Sequence, residues 1–178
     1  MLAMTACLGK ARVNKDAEVT LDASALSPRE AEDIAAILVS IEPWSRMDYN
    51  KQDLAKRIGT ASDTDRSLSI LARGRRVGLM RIREPWLLGP LISIFAVFPE
   101  YQGQGIGRRA LVAFEHNGPE DWRNIWLTVS TFNQSALAFY RRCGFAQVGL
   151  LEGLVGDGWD EILMRKLHAI RCQNGDRT

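Results

Sequence analysis

An α/β fold around a single sheet is what this chain predicts, and three observations predict it. Strand-length apolar segments alternate with amphipathic segments of helical spacing. No segment repeats another, which argues against solenoids and arrays. The most apolar strand candidate, residues 91–98, runs directly into a glycine-rich turn that opens a helix. A length of 178 residues with 46% hydrophobic and 25% charged side chains suits one domain with a sizeable core, expected over residues 19–170. Residues 1–18 mix small and charged types without periodicity and read as a flexible arm, and residues 171–178 as a flexible tail.

The first strand candidate lies at residues 18–21. Ser27, Pro28 and Glu30 then form a capping-box pattern: Ser27 is the N-cap, Pro28 stands where a missing N–H costs nothing, and Glu30 reaches back. Ala31, Ile34, Ala35, Leu38 and Ile41 recur at helical spacing until Pro43 forces an end. A second short helix carries Leu54, Ala55 and Ile58 and stops at Gly59. Residues 67–72 and 77–83 flank the polar turn 73–76 as a hairpin, and Gly89-Pro90 introduces the strand at 91–98. The next helix shows Ile106, Ala110, Leu111 and Phe114 on one face and ends at Gly118-Pro119. A strand at 125–130, a helix at 133–143 closed by Gly144, and strands at 145–151 and 159–167 joined by the glycine-bearing loop 152–158 complete the order.

The turn at residues 99–109 reads PEYQGQGIGRR. A glycine-rich connection from strand to helix points several backbone N–H groups at one spot, and the helix dipole adds partial positive charge there. That combination is a socket for a phosphate or pyrophosphate. The run lacks the Lys-Ser/Thr pair of a nucleotide triphosphate loop and the G-x-G-x-x-G spacing of a dinucleotide fold, so another pyrophosphate is expected.

Gln102, Gly105 and Gly107 in this run form a Q-x-x-G-x-G pattern. Residues 133–145, NQSALAFYRRCGF, place an Asn at a helix start, a Phe-Tyr pair inside the helix and Gly-Phe where the chain leaves it. With both motifs in this order and spacing, roughly residues 87–167 resemble the GNAT superfamily of acyl-CoA-dependent N-acetyltransferases. The pattern is most similar to the branch that modifies protein N-termini, the ribosomal-protein-alanine type. The resemblance implies a mixed, about seven-stranded sheet flanked by about four helices, with two parallel strands splayed apart at the coenzyme site. It also implies acetyl-CoA as donor co-substrate and direct attack by the amine in a ternary complex.

Backbone amides across Gln102, Gly103, Gln104, Gly105, Ile106, Gly107 and Arg108 would then hold the pyrophosphate. By the same resemblance, backbone groups of Phe95, Ala96 and Val97 would bind the pantetheine arm and the acetyl oxygen. Tyr140 is the candidate general acid and a further coenzyme contact, since the family places this tyrosine by the coenzyme sulfur and a phenol can donate to a departing thiolate. It stands seven residues beyond Asn133, two turns along the same helical face. A packing role beside Phe139 is the alternative. Asn133 reads as a helix N-cap, with a contact to the coenzyme arm added by resemblance.

The general base is the missing part. Many relatives carry a glutamate on the strand before the glycine-rich turn or on the next strand, but residues 87–98 hold no carboxylate and Thr128 occupies the second place. Without a strong base, α-amines are favoured over lysine ε-amines, because they lose their proton more readily near neutral pH. Glu84, Asp157, Asp160 and Glu161 are the substitutes, each read first as a solvated surface carboxylate. His116 and His168 receive no role. Acceptor recognition falls to the loops at 42–49, with Trp44, and 152–158, with the neighbouring Trp159.

Twenty-three basic against twenty-one acidic residues leave a formal net charge of +2, which argues against a nucleic-acid partner. Cys7, Cys143 and Cys172 are scattered, with no C-x-x-C pair, so neither a metal site nor a disulfide framework is expected. With no signal-type N-terminus and no membrane-length apolar stretch, the expectation is a cytoplasmic protein, monomer or homodimer. The expected partner is an amine acceptor, a protein or peptide N-terminus before a small amine such as a polyamine, amino acid or aminoglycoside. A non-catalytic acyl-CoA-binding module is the alternative of a different class.

Overall fold

The computed structural model describes residues 18–168. The expected arm and tail, and with them Cys7 and Cys172, lie outside the described residues apart from Glu18. The chain runs β1 (Val19–Asp22), α1 (Pro28–Val39), α2 (Lys51–Gly59), β2 (Asp65–Ala72), β3 (Arg75–Trp86), β4 (Gly89–Val97), α3 (Ile106–His116), β5 (Asn124–Ser130), α4 (Gln134–Arg142), β6 (Ala146–Leu151) and β7 (Glu161–Leu167). A single 3-10 turn, Pro99–Tyr101, separates β4 from α3. The seven strands form one mixed sheet in the order β1-β2-β3-β4-β5-β7-β6. Among the described strands only β4 and β5 pair in parallel.

The local signals act as their chemistry requires. Ser27 Oγ accepts from the Glu30 N–H at 3.3 Å while the Glu30 carboxylate accepts from the Ser27 N–H at 2.9 Å, so two otherwise orphaned donors at the start of α1 are satisfied. The hairpin between β2 and β3 is tighter than the expected 73–76 turn. Ala72 pairs with Arg75, leaving only Arg73 and Gly74 to reverse the chain, both at positive φ (53° and 71°). Gly89 and Pro90, expected to precede a strand, belong to it, because the hairpin closes on Leu87 and Leu88.

Leu79 and Met80 are neighbours on β3 and so point to opposite faces. Leu79 joins Ile94 and Ala96 beneath Ile34, Leu38, Leu54 and Ile58 of α1 and α2. Met80 joins Ile82, Leu127 and Met164 with Leu111 and Phe114 of α3 and Leu137 and Tyr140 of α4. Two cores therefore clamp the sheet, one on each face.

Two features of β4 position the site. Arg81 pairs with Ile94 and Ile82 with Ile92, so Ser93 is an extra, bulged residue. The parallel pairing with β5 is confined to Leu91 with Trp126 and Ile92 with Leu127 and stops at that bulge. Beyond it β4 stays paired with β3 as far as Val97, while residues 128–130 of β5 stay paired with β7. The two middle strands splay apart there.

Candidate active site

A cleft of about 1290 Å³ opens through this splay. Phe95, Ala96 and Val97 line it from β4, with Thr128, Val129 and Ser130 from β5. Gln102, Gly103, Gly105, Ile106, Gly107 and Arg108 line it from the glycine-rich turn, and Asn133, Ala136, Phe139 and Tyr140 from α4. Every coenzyme contact expected from the sequence except Gln104 is therefore brought to one cavity.

The turn leaves the start of α3 uncapped. Gly103 and Gly105 hold φ of +75° and +73°, which turns the chain so that Gly105 becomes the N-cap of α3. Ser27, Asn50 and Asn133 cap α1, α2 and α4 with side-chain oxygens, but no side chain caps α3. Its first-turn residues Ile106, Gly107 and Arg108 line the cleft, at the positive end of the helix dipole. Gly107 serves a different purpose, since a Cβ there would sit 3.2 Å from the Phe139 ring, so this glycine lets α3 and α4 approach.

The two glutamines fasten the turn. Gln102 Nε2 donates to the Val97 carbonyl at 2.9 Å, and Gln104 Nε2 donates to the Glu100 carbonyl at 3.1 Å. Gln104 is not among the cleft-lining residues, and its side chain holds the preceding turn instead. A Gln beside several glycines gives no signal in sequence for which group its side chain will bind.

Tyr140 packs in the core and also lines the cleft. Its ring lies against Phe95, Phe139 and Phe145 at centroid separations of 6.3, 5.1 and 5.7 Å. Burial, with a smaller push from Cys143, raises the hydroxyl well above the ordinary range of a phenol, so it stays protonated at neutral pH. Asn133 caps α4, its Oδ1 accepting from the Ala136 N–H at 3.1 Å and from Ser135 Oγ at 3.0 Å.

The four substitute carboxylates part company. Glu84 accepts from the Trp122 indole, pairs with Arg66 at 3.0 Å and does not line the cleft. Asp160 accepts from the Gly153 N–H at 2.9 Å and so pins the loop between β6 and β7. Asp157 is exposed and does not line the cleft. Glu161 alone enters it. Rather than a solvated surface group, it is 5% exposed and accepts from Ser130 Oγ at 2.5 Å. Burial raises its pKa above the ordinary 4.5, against hydrogen bonds from Ser130 and, more weakly, Thr128.

At the mouth stand Trp44, Met47 and Tyr49 from the segment between α1 and α2, and Leu154 and Val155 from the loop between β6 and β7. Both loops expected to meet the acceptor do reach the cleft. Trp159 does not line it and packs edge-on against Phe132 at 5.5 Å. Trp86 and Ser130 are lining residues that no sequence pattern marked. His168 is structural, its ring nitrogens 3.3 Å from the Trp122 carbonyl and 3.0 Å from that of Glu115.

The sequence model of the acetyltransferase (GNAT) family matches residues 31–145, a span that holds the splay, the glycine-rich turn and α4. The chain belongs to the GNAT family. It is 33% identical over 128 residues to the N-alpha-acetyltransferase RimI of Mycobacterium tuberculosis, covering 68% of this chain and 73% of that protein. To an N-alpha-acetyltransferase of Saccharolobus solfataricus it is 35% identical over 80 residues, 44% of this chain and 47% of the relative. The solved structure of the ribosomal-protein-S18-alanine N-acetyltransferase from Escherichia coli has the same fold, with a TM-score of 0.61 at 20% identity over 89% of this chain and 99% of that one. This GNAT protein is an acyltransferase, an N-acetyltransferase, and its family uses acetyl-CoA as donor. Among the described residues no helix is long and apolar enough to cross a membrane, and no cluster of His, Cys, Asp or Glu is arranged to hold a metal ion.

Proposed function

We propose that this N-acetyltransferase acts on the α-amine of protein or peptide N-termini. The observation that carries this reading is the chemistry of the cleft mouth. Trp44, Met47, Leu154 and Val155 make an apolar rim, and among the described residues the only carboxylates on the cleft wall are Glu42 and Glu161. A polyamine, with several cationic nitrogens, calls for an array of carboxylates. One terminal amine followed by an apolar or small side chain suits this rim better. The N-alpha-acetyltransferase activity in the names of two relatives supports the same acceptor.

The chain's own groups fit the donor. The uncapped start of α3 and the positive-φ glycines Gly103 and Gly105 would hold the coenzyme pyrophosphate, and the unpaired edge of β4 at Phe95 and Ala96 would hold its pantetheine arm. Acetyl-CoA supplies the thioester carbonyl and the sulfur leaving group. Tyr140, neutral and in the cleft wall, would give its proton to that sulfur. The test is acetyl-CoA consumption against a mixed panel of N-terminal peptides, polyamines, amino acids and aminoglycosides. Peptides with a small or apolar first residue are expected to give the highest kcat/KM, by about tenfold or more. A polyamine or aminoglycoside in first place would overturn the acceptor assignment.

A further inference from the structure

We propose that Glu161 is the general base of this reaction, a carboxylate delivered to the cleft from β7 and held there by hydroxyl groups of the neighbouring strand β5. The assignment rests on the N-acetyltransferase reading above and adds the residue that reading lacks.

The geometry is specific. β7 pairs with β5 in a register that sets Glu161 opposite Ser130, and Ser130 Oγ donates to Glu161 Oε1 at 2.5 Å. Thr128, on the same strand, adds a weaker hydrogen bond to the same carboxylate. Residues 128–130 are the stretch of β5 that has parted from β4, and Glu161, across β5 from that gap, lines the cleft that opens there. Phe95 and Tyr140 line that same cleft.

A buried carboxylate is expensive unless a cation compensates it, and among the described residues Glu161 has no ion-pair partner. Its surroundings offer none. β5 contributes only the hydroxyls, β6 sets Leu151 opposite it, and the α1–α2 segment brings Met47 to 3.7 Å from Ser130 Oγ. The next residue, Asp160, is turned to the Gly153 N–H. The other charged groups of the cleft, Glu42, Arg57, Arg83 and Arg108, and its tyrosines, Tyr49, Tyr101 and Tyr140, do not contribute to its shift. A carboxylate kept in a cleft without a counter-charge is raised toward the working pH, which is what proton abstraction requires.

The step balances. Glu161 takes one proton from the acceptor ammonium, directly or through one water. The freed amine nitrogen forms the C–N bond to the thioester carbonyl carbon, the C–S bond breaks, and sulfur takes the Tyr140 proton. The second proton lost by nitrogen restores Tyr140, and Glu161 releases its own to solvent. One proton is released for each amide formed.

The experiment is the pH dependence of kcat/KM with two peptides whose amine pKa values differ. In the wild type the acid limb should fall at one pH for both acceptors. It should disappear in Glu161→Gln, with a loss of about 10²-fold at neutral pH, persist at reduced rate in Glu161→Asp, and move to higher pH in Ser130→Ala, which loses a bond that favours the charged form. Acetyl-CoA affinity, measured by calorimetry on the same preparations, should stay within about twofold throughout, separating loss of the base from loss of the fold. A wild-type limb that tracks the acceptor's own pKa, or a Glu161→Gln enzyme with unchanged rate and profile, overturns the assignment and leaves the proposed function standing. A wild type that acetylates no amine overturns both.

Discussion

Ser130 and Glu161 sit opposite each other in the β5–β7 ladder, joined side chain to side chain by a 2.5 Å hydrogen bond in the wall of the cleft. The bond lowers the pKa of a carboxylate that burial raises, and burial prevails. The folded protein therefore binds this proton more readily than the unfolded chain. Stability from this group is full below the ordinary 4.5 and is lost as pH rises through the raised folded value.

Glu161→Gln removes that penalty and can still accept from Ser130. It is expected to raise stability by about 1 kcal/mol at pH 8 and by nothing at pH 4, measured by urea unfolding at both. Gain of stability with loss of turnover is the usual signature of a destabilised active-site group. Equal stability of variant and wild type at pH 8 would show that the buried charge carries no penalty.

Tyr140→Phe keeps the ring against Phe95, Phe139 and Phe145 and removes only the hydroxyl. Turnover is expected to fall about 10²-fold with little change in coenzyme affinity, because the proton is needed only as sulfur departs. Single-turnover kinetics check it on the chemical step itself. Full activity would leave Tyr140 as a packing residue.

Gly105→Val is expected to weaken acetyl-CoA binding at least tenfold while the protein stays folded. A Cβ at Gly105 meets no atom of the described residues within 4 Å, so none of them resists it. Its φ of +73° does, since a β-branched residue disfavours that conformation and relaxation would re-aim the first N–H groups of α3. Calorimetric titration with acetyl-CoA reads the effect directly. Unchanged affinity would remove the turn from the coenzyme site.

Asp65→Asn tests the frame rather than the chemistry. Arg81 is buried in the sheet, 3.9 Å from Asp65 and 3.2 Å from Ser67 Oγ, and Arg83 reaches Asp65 at 3.1 Å. Burial works to raise the Asp65 pKa, but hydrogen bonds from Arg83 and Thr64 and the charges of Arg83 and Arg81 outweigh it and hold the pKa below the ordinary 3.8. Its contribution is present above that value and lost as pH falls through the depressed one. The variant should lose about 2 kcal/mol at pH 7, with the gap narrowing in acid, as thermal or urea unfolding will read.

The glycine-rich turn, the Ser27–Glu30 capping box, the Asn133 cap and the helical stripe of α3 were all legible in the sequence. Each depends on residues within about four positions of one another: a positive φ, a cap and its N–H groups, a period of 3.6. The family resemblance, carried by the two motifs, added the seven-stranded mixed sheet and the splay. Which carboxylate serves the site was not legible. Glu84, Asp157, Asp160 and Glu161 are equivalent as letters, and only the insertion of β7 between β5 and β6 sets Glu161 against Ser130 and Thr128 while turning Asp160 to a loop. The same holds for Ser93, whose bulge depends on the register of β4 against β3. Local chemistry is fixed by the backbone's short-range sterics and hydrogen bonds, so the sequence by itself determined the elements, their caps and the glycine-rich turn. Strand order, burial and the company a carboxylate keeps are long-range consequences of how the sheet closes over its two cores, and those the tertiary structure alone decided.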